Sequence, residues 1–222
     1  SIQVLDFTRQ KQQRLQKLPT LNAALVMGNP KMPSTELQPL PGSETEARAI
    51  ASAYRVPALT GSDASETNFK QLAEGQSVIH LATHGLVNQR EVLASSIALS
   101  KDDKNDGFLT AAEVFELRLN AQLVVLSACE TGLGALTGDG VVGLSRAFIS
   151  AGAPSVLVSL WPVEDQTTAR VMEAFHRRWS GVPLATALRE AMLEMKNQGL
   201  GPAQWAAFSL IGEAGTIQER KQ

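Results

Sequence analysis

The chain has 222 residues, 44% hydrophobic and 19% charged, with a formal net charge of -2 and a single cysteine. That balance suits one globular domain with a full core, offers no long-range field for nucleic acid or an anionic membrane, and rules out an internal disulfide. No stretch approaches the roughly 18 consecutive apolar residues of a membrane span, and the N-terminus lacks the regions of a signal peptide, so the sequence reads as cytoplasmic.

Residues 1–18 are polar, with a thin apolar stripe at Ile2, Leu5, Leu15 and Leu18. They read as a linker or junction helix from an upstream region, and the opening on Ser1 suits a piece of something longer. Residues 19–222 form the domain. Leu21 to Met27 is a first strand, closed by GNPKMP. In Ser43 to Tyr54, an N-cap serine with Glu46 three positions on predicts a capping box and a helix. Val56 to Leu59 is a short strand, Ser65 caps the next helix, and Ser77 to Gly85, SVIHLATHG, is an apolar strand delivering His84 and a glycine to its end. This βαβ alternation predicts a parallel sheet.

The rhythm then breaks. Ser96 to Ser100 reads as a short strand, Lys101 to Gly107 as a charged turn, and Thr110 as the cap of a helix through Leu117, an excursion off the main sheet. Leu123 to Thr131, LVVLSACET, resumes the alternation as a buried strand carrying the cysteine, Cys129, to the carboxyl edge, where open α/β sheets place their chemistry. A glycine-rich loop, a helix from Val141 to Ala151, a strand from Ser155 to Leu160, helices over Gln166 to Trp179 and Leu184 to Asn197, and a last strand over Gln204 to Ile211 complete the reading.

Several motifs compete for the function. Gly138, Gly140 and Gly143 fit GxGxxG, but residues Glu130 to Thr137 separate them from the strand, where a dinucleotide site needs its first glycine directly after it. A glycine-rich loop is the better reading. Asp102, Asp106, Gly107 and Glu113 match a calcium loop, yet Lys104 stands where an oxygen ligand belongs. His80 and His84, four apart, lack the further ligands of a zinc shell. His80 reads as a buried, hydrogen-bonded histidine and His176, on a helix face, as a surface one. No metal or cofactor is expected.

What survives is the pair His84 and Cys129, expected at adjacent strand ends. An imidazole beside a thiol takes its proton to make the nucleophilic thiolate and returns one to the leaving group. Gly85, directly after the histidine, offers an open backbone N–H beside the cysteine's own as an oxyanion hole. A buried cysteine with an unrelated histidine is the bland alternative.

A hydrophobic block ending in HG followed by one ending in AC resembles the double signature of the caspase-like (clan CD) cysteine peptidases. HLATHG, DGFLTAAEVF, LSACETG, GDGVVGLSRAFISAGAPSVLVSLWPVED and WAAFSLIGE look in particular like the CHAT-domain family, distant relatives of separase often attached to tetratricopeptide repeats. The resemblance spans nearly all of the chain from Leu21 onward. It implies a caspase-like three-layer αβα sandwich with a mostly parallel sheet in the order 2-1-3-4-5-6, His84 as general base and Cys129 as nucleophile. The implied function is a cysteine endopeptidase acting on a protein substrate and regulated by an upstream tetratricopeptide-repeat region or an activating partner. A catalytically silent interaction module is the rival. WPVED resembles separase's WDVTD segment, which places Asp165 in a pocket for a basic P1 residue; the alternative is that Asp165 caps the helix beginning near Gln166.

Overall fold

A computed structural model describes residues 2–16, 23–88, 90–127, 138–180 and 182–214. In chain order the elements are α1 (Ile2–Gln16), β1 (Ala24–Pro30), α2 (Pro41–Tyr54), β2 (Ala58–Gly61), α3 (Glu66–Leu72) and β3 (Val78–Ala82). Then come β4 (Gly85–Leu86), a 3-10 turn at Val92–Ala94, β5 (Ser96–Ala98), β6 (Phe108–Thr110), α4 (Ala111–Glu116) and β7 (Leu123–Leu126). The last are α5 (Gly138–Ala151), β8 (Ser155–Ser159), α6 (Asp165–Trp179), α7 (Leu184–Asn197), α8 (Pro202–Trp205) and β9 (Phe208–Gly212).

The main sheet runs β2-β1-β3-β7-β8-β9. It is parallel from β2 to β8 and closes with β9 antiparallel to β8, which is the 2-1-3-4-5-6 order expected. Strands β4, β5 and β6 form a separate antiparallel sheet, the excursion after the histidine strand.

Strand residues alternate between two cores, as the period of two dictates. Leu25, Met27, Ile79, Leu81, Val124, Leu126, Val156 and Val158 face α5, α3 and the excursion, with Phe69 and Phe148 meeting edge-on beneath them. Val26, Val78, Leu123, Val125 and Leu157 face α2, α6 and α7, around Phe175 and Trp179. Helices on both faces make three layers, and strands buried on both sides read as the near-continuous apolar runs seen in the sequence. Gly28 lets α2 approach β1, since a Cβ there would lie 2.4 Å from the Ser43 carbonyl oxygen.

Several local expectations need correction. Helix α2 starts at Pro41, with Leu40 at the N-cap position, so Ser43 and Glu46 do not form a capping box. Proline is preorganised for a helix's first turn, and it outcompetes the serine two residues later. Helix α5 starts at Gly138, so Gly138 and Gly140 belong to a helix rather than to the loop before it. Its Gly143 packs under the excursion, where a Cβ would lie 2.2 Å from Val92 Cγ1. The last strand begins at Phe208, because Gly201 and Pro202 open the short helix α8 first.

Candidate active site

Parallel strands end at one edge, so β1, β3, β7 and β8 all finish on the same side of the sheet. Strands β3 and β7 are neighbours in register, with Leu81 opposite Leu126 and the Ser127 N–H donating to the Leu81 carbonyl at 3.0 Å. His84 follows Leu81 by three residues and Cys129 follows Leu126 by three. Cys129 itself lies outside the described residues.

His84 is 2% exposed. Its Nε2 lies 2.7 Å from the backbone carbonyl oxygen of Gln38, in the segment between β1 and α2. A carbonyl only accepts, so Nε2 carries the ring hydrogen and Nδ1 is the basic nitrogen of the neutral ring. From the other side the excursion holds the histidine's backbone. The Ala98 N–H donates to the His84 carbonyl at 2.9 Å, and Thr83 Oγ1–H donates to the Ala98 carbonyl at 2.7 Å. With that bond in place, Gly85 and Ile97 face each other as a non-hydrogen-bonded pair, so the ladder turns the Gly85 N–H away from β5.

The 38–43 segment is itself fixed. Asn29, in a left-handed conformation at the end of β1 (φ 43°), accepts from the Leu40 N–H through Oδ1 at 2.9 Å. Its Nδ2 donates to Glu44, which keeps the amide in that orientation. The Arg48 guanidinium first, and the Asn29 amide second, hold the Glu44 carboxyl below its ordinary value. Ser43 Oγ accepts from the Asn29 N–H and donates to the Leu40 carbonyl. Asp165, half-buried at the first position of α6, accepts from the Gly42 N–H at 2.6 Å. It does not cap its own helix: Glu164 occupies the N-cap position there and makes no side-chain cap bond. The structure therefore brings His84 and Asp165 onto one short segment, at Gln38 and at Gly42. Sequence reasoning missed Gln38, which acts through its backbone and leaves no side-chain signal, and Gly42, which lies just before the helix start expected at Ser43.

The other histidines stand apart from this edge. His80 points into the core on the α2 side and His176, expected at the surface, is 1% exposed. His176 lies on the stripe with Met172, Phe175 and Trp179, and that stripe faces the sheet. His80 Nδ1 meets His176 Nε2 at 3.1 Å and its Nε2 meets Glu46 Oε1 at 2.7 Å, so His80 and His84 do not converge on a common point.

A family model described as CHAT domain matches residues 1–213. Tetratricopeptide repeat protein 28 of Homo sapiens is 33% identical over 230 residues, covering 85% of this chain and 9% of that protein; its Mus musculus counterpart is 31% identical over 231 residues with the same coverage. The chain thus spans under a tenth of the relatives it matches. Among solved structures, the Arg-specific cysteine proteinase gingipain R aligns with a TM-score of 0.62 at 12% identity, covering 94% of this chain and 52% of that one. The Saccharomyces cerevisiae separase–securin complex aligns with a TM-score of 0.54 at 12% identity, over 93% of this chain and 13% of that one. These two likenesses show a caspase-like fold.

Proposed function

The chain belongs to the CHAT-domain family, and from that premise we propose that it is a cysteine endopeptidase with Cys129 as nucleophile and His84 as general base. The single observation that supports the reading is the register of β3 and β7, neighbouring strands whose paired residues Leu81 and Leu126 precede His84 and Cys129 in the sequence by three positions each. With Nε2 committed to the Gln38 carbonyl, Nδ1 takes the thiol proton. The thiolate attacks the scissile carbonyl carbon, and the electron pair displaced onto oxygen is met by the N–H groups of Gly85 and Cys129. Collapse breaks the C–N bond as His84 passes its proton to the departing amine. Water then attacks the thioester, gives a proton to His84 and releases the acid, restoring the thiol.

The substrate is a protein, and we place a basic residue at P1. Asp165 supports this: its Oδ2 accepts from the Gly42 N–H, and a carboxylate carries a second oxygen and a charge suited to a guanidinium or ammonium. Relatives named as tetratricopeptide repeat proteins support control by an upstream repeat region.

The test is labelling with iodoacetamide alongside a peptide-library cleavage profile. A stoichiometric adduct on Cys129 that forms faster than with free cysteine and slows in His84→Ala, with cleavage absent in Cys129→Ala, is the expected outcome. A thiol as sluggish as free cysteine together with no cleavage would make the domain a silent interaction module.

A further inference from the structure

Helix α2 begins with a deficit. Leu40 at its N-cap has no side-chain acceptor, and Pro41 at the first position has no N–H to satisfy, so the orphan donors of the first turn start at Gly42. Ser43 turns back to Asn29 and the Leu40 carbonyl. The Gly42 N–H is taken by a residue 123 positions away, Asp165, at 2.6 Å. A carboxylate suits that place because the helix start carries partial positive charge. The approach needs glycine: a Cβ at position 42 would lie 2.5 Å from Asp165 Oδ2 and 2.6 Å from its Cγ.

Four residues upstream of Gly42 is Gln38, whose carbonyl fixes the His84 ring. The stretch between them is pinned at Leu40 by Asn29 from β1 and at Gly42 by Asp165 from α6. We infer that Asp165 is a positioning residue, which clamps the start of α2 so that the Gln38 carbonyl stays against His84 Nε2. The inference rests on the reading of His84 as the general base, and it adds a task for Asp165 separate from any contact with substrate. Its chemistry is also separable. Holding Gly42 needs an acceptor oxygen, which asparagine also has, whereas pairing with a basic substrate needs the charge.

Nitrogen-15 NMR of the histidine rings reads the clamp without any turnover. The chain has three histidines, and loss of one set of signals in His84→Gln assigns the relevant ring. The wild type is expected to show His84 as the Nε2–H tautomer. Asp165→Ala is expected to shift those signals toward a mixture of tautomers, while Asp165→Asn keeps the wild-type pattern and His80 and His176 stay unmoved in both. Because Asp165→Ala also removes a helix contact, Gly42→Ala serves as the second variant. It leaves the carboxylate intact, forces it off the backbone N–H, and should reproduce the alanine pattern. In parallel, iodoacetamide alkylation of Cys129, whose reagent is too small to need a P1 pocket, should slow by about ten- to a hundredfold in Asp165→Ala, less than the about 10²–10⁴-fold a positioned acid–base group contributes. A His84 pattern unchanged in both Asp165→Ala and Gly42→Ala would overturn the inference even in an active enzyme. A wild-type thiol without enhanced reactivity would instead remove the peptidase reading and leave the NMR result to decide the clamp.

Discussion

A histidine is tolerated in a core only when both ring nitrogens find partners, and His80 finds them on two different helices. The contacts form a chain: Tyr54 Oη meets His176 Nδ1 at 3.0 Å, His176 Nε2 meets His80 Nδ1, and His80 Nε2 meets Glu46 Oε1. The array ties α2 and α6 to β3, while Glu46 Oε2 is buried with no hydrogen-bond partner among the described residues. Tyr54→Phe removes the first link and is expected to cost about 1–3 kcal/mol, because a buried ring nitrogen of His176 loses this bond. A thermal melt indistinguishable from wild type would show that the array carries no stability. The sequence offered half of this. His80 reads as a buried strand histidine, whereas His176 reads as a surface one, although Met172, Phe175 and Trp179 at helical spacing mark the buried face it shares. Glu46 did not declare itself, since its spacing from Ser43 imitates a capping box that the earlier start of α2 dissolves.

At the scale of elements, the excursion is fastened to the main domain by α3 and α4. Thr110 and Glu113 form the capping box of α4, and Lys70 of α3 reaches Glu113 at 2.9 Å, Glu66 at 2.6 Å and the Asn105 side chain at 2.8 Å. This explains the near-match to a calcium loop: Asp102 accepts from the N–H groups of Lys104 and Asn105, closing its own turn, and the cation beside the cluster is Lys70. Burial pushes Glu113 up, but the Thr110 hydroxyl and N–H and the Lys70 ammonium outweigh it and bring the carboxyl from 4.5 down to about 2. Stability from this group is therefore complete above 4.5 and drains as pH falls toward about 2. Glu66 runs the other way, raised first by burial and only partly restrained by Lys70. Glu113→Gln is expected to melt below wild type at neutral pH, the gap closing between pH 4.5 and about 2; a gap that ignores pH would refute the assignment. The Thr110 cap was legible because a capping box is a local pattern. The link to Lys70, 43 residues from Glu113, was not.

Over the whole molecule, the strand order could be read because each buried strand announces itself and crossovers between parallel strands leave few arrangements. Contacts such as Gly42 with Asp165 arise only after the layers assemble, so they left no trace in local spacing, and Cys129 lies outside the described residues. Helix α1 belongs to the packed body: Thr8 Oγ1–H donates to Glu213 Oε1 at 2.9 Å just past β9, and Leu15 is buried. Removing residues 1–16 takes away the buried Leu15 side chain and the Thr8 and Arg9 contacts to Glu213, and is expected to cost about 2–4 kcal/mol and to lower Tm by roughly 10 °C. An unchanged Tm would mean that α1 rests on the surface without stabilising it. The burial of all three histidines has a practical corollary. His80, His84 and His176 are at most 2% exposed, so the folded protein presents almost no imidazole to a reagent in solution. Acylation by diethyl pyrocarbonate then becomes a clock for opening of the fold, and its first hit reports whether the sheet edge at His84 breathes before the core does.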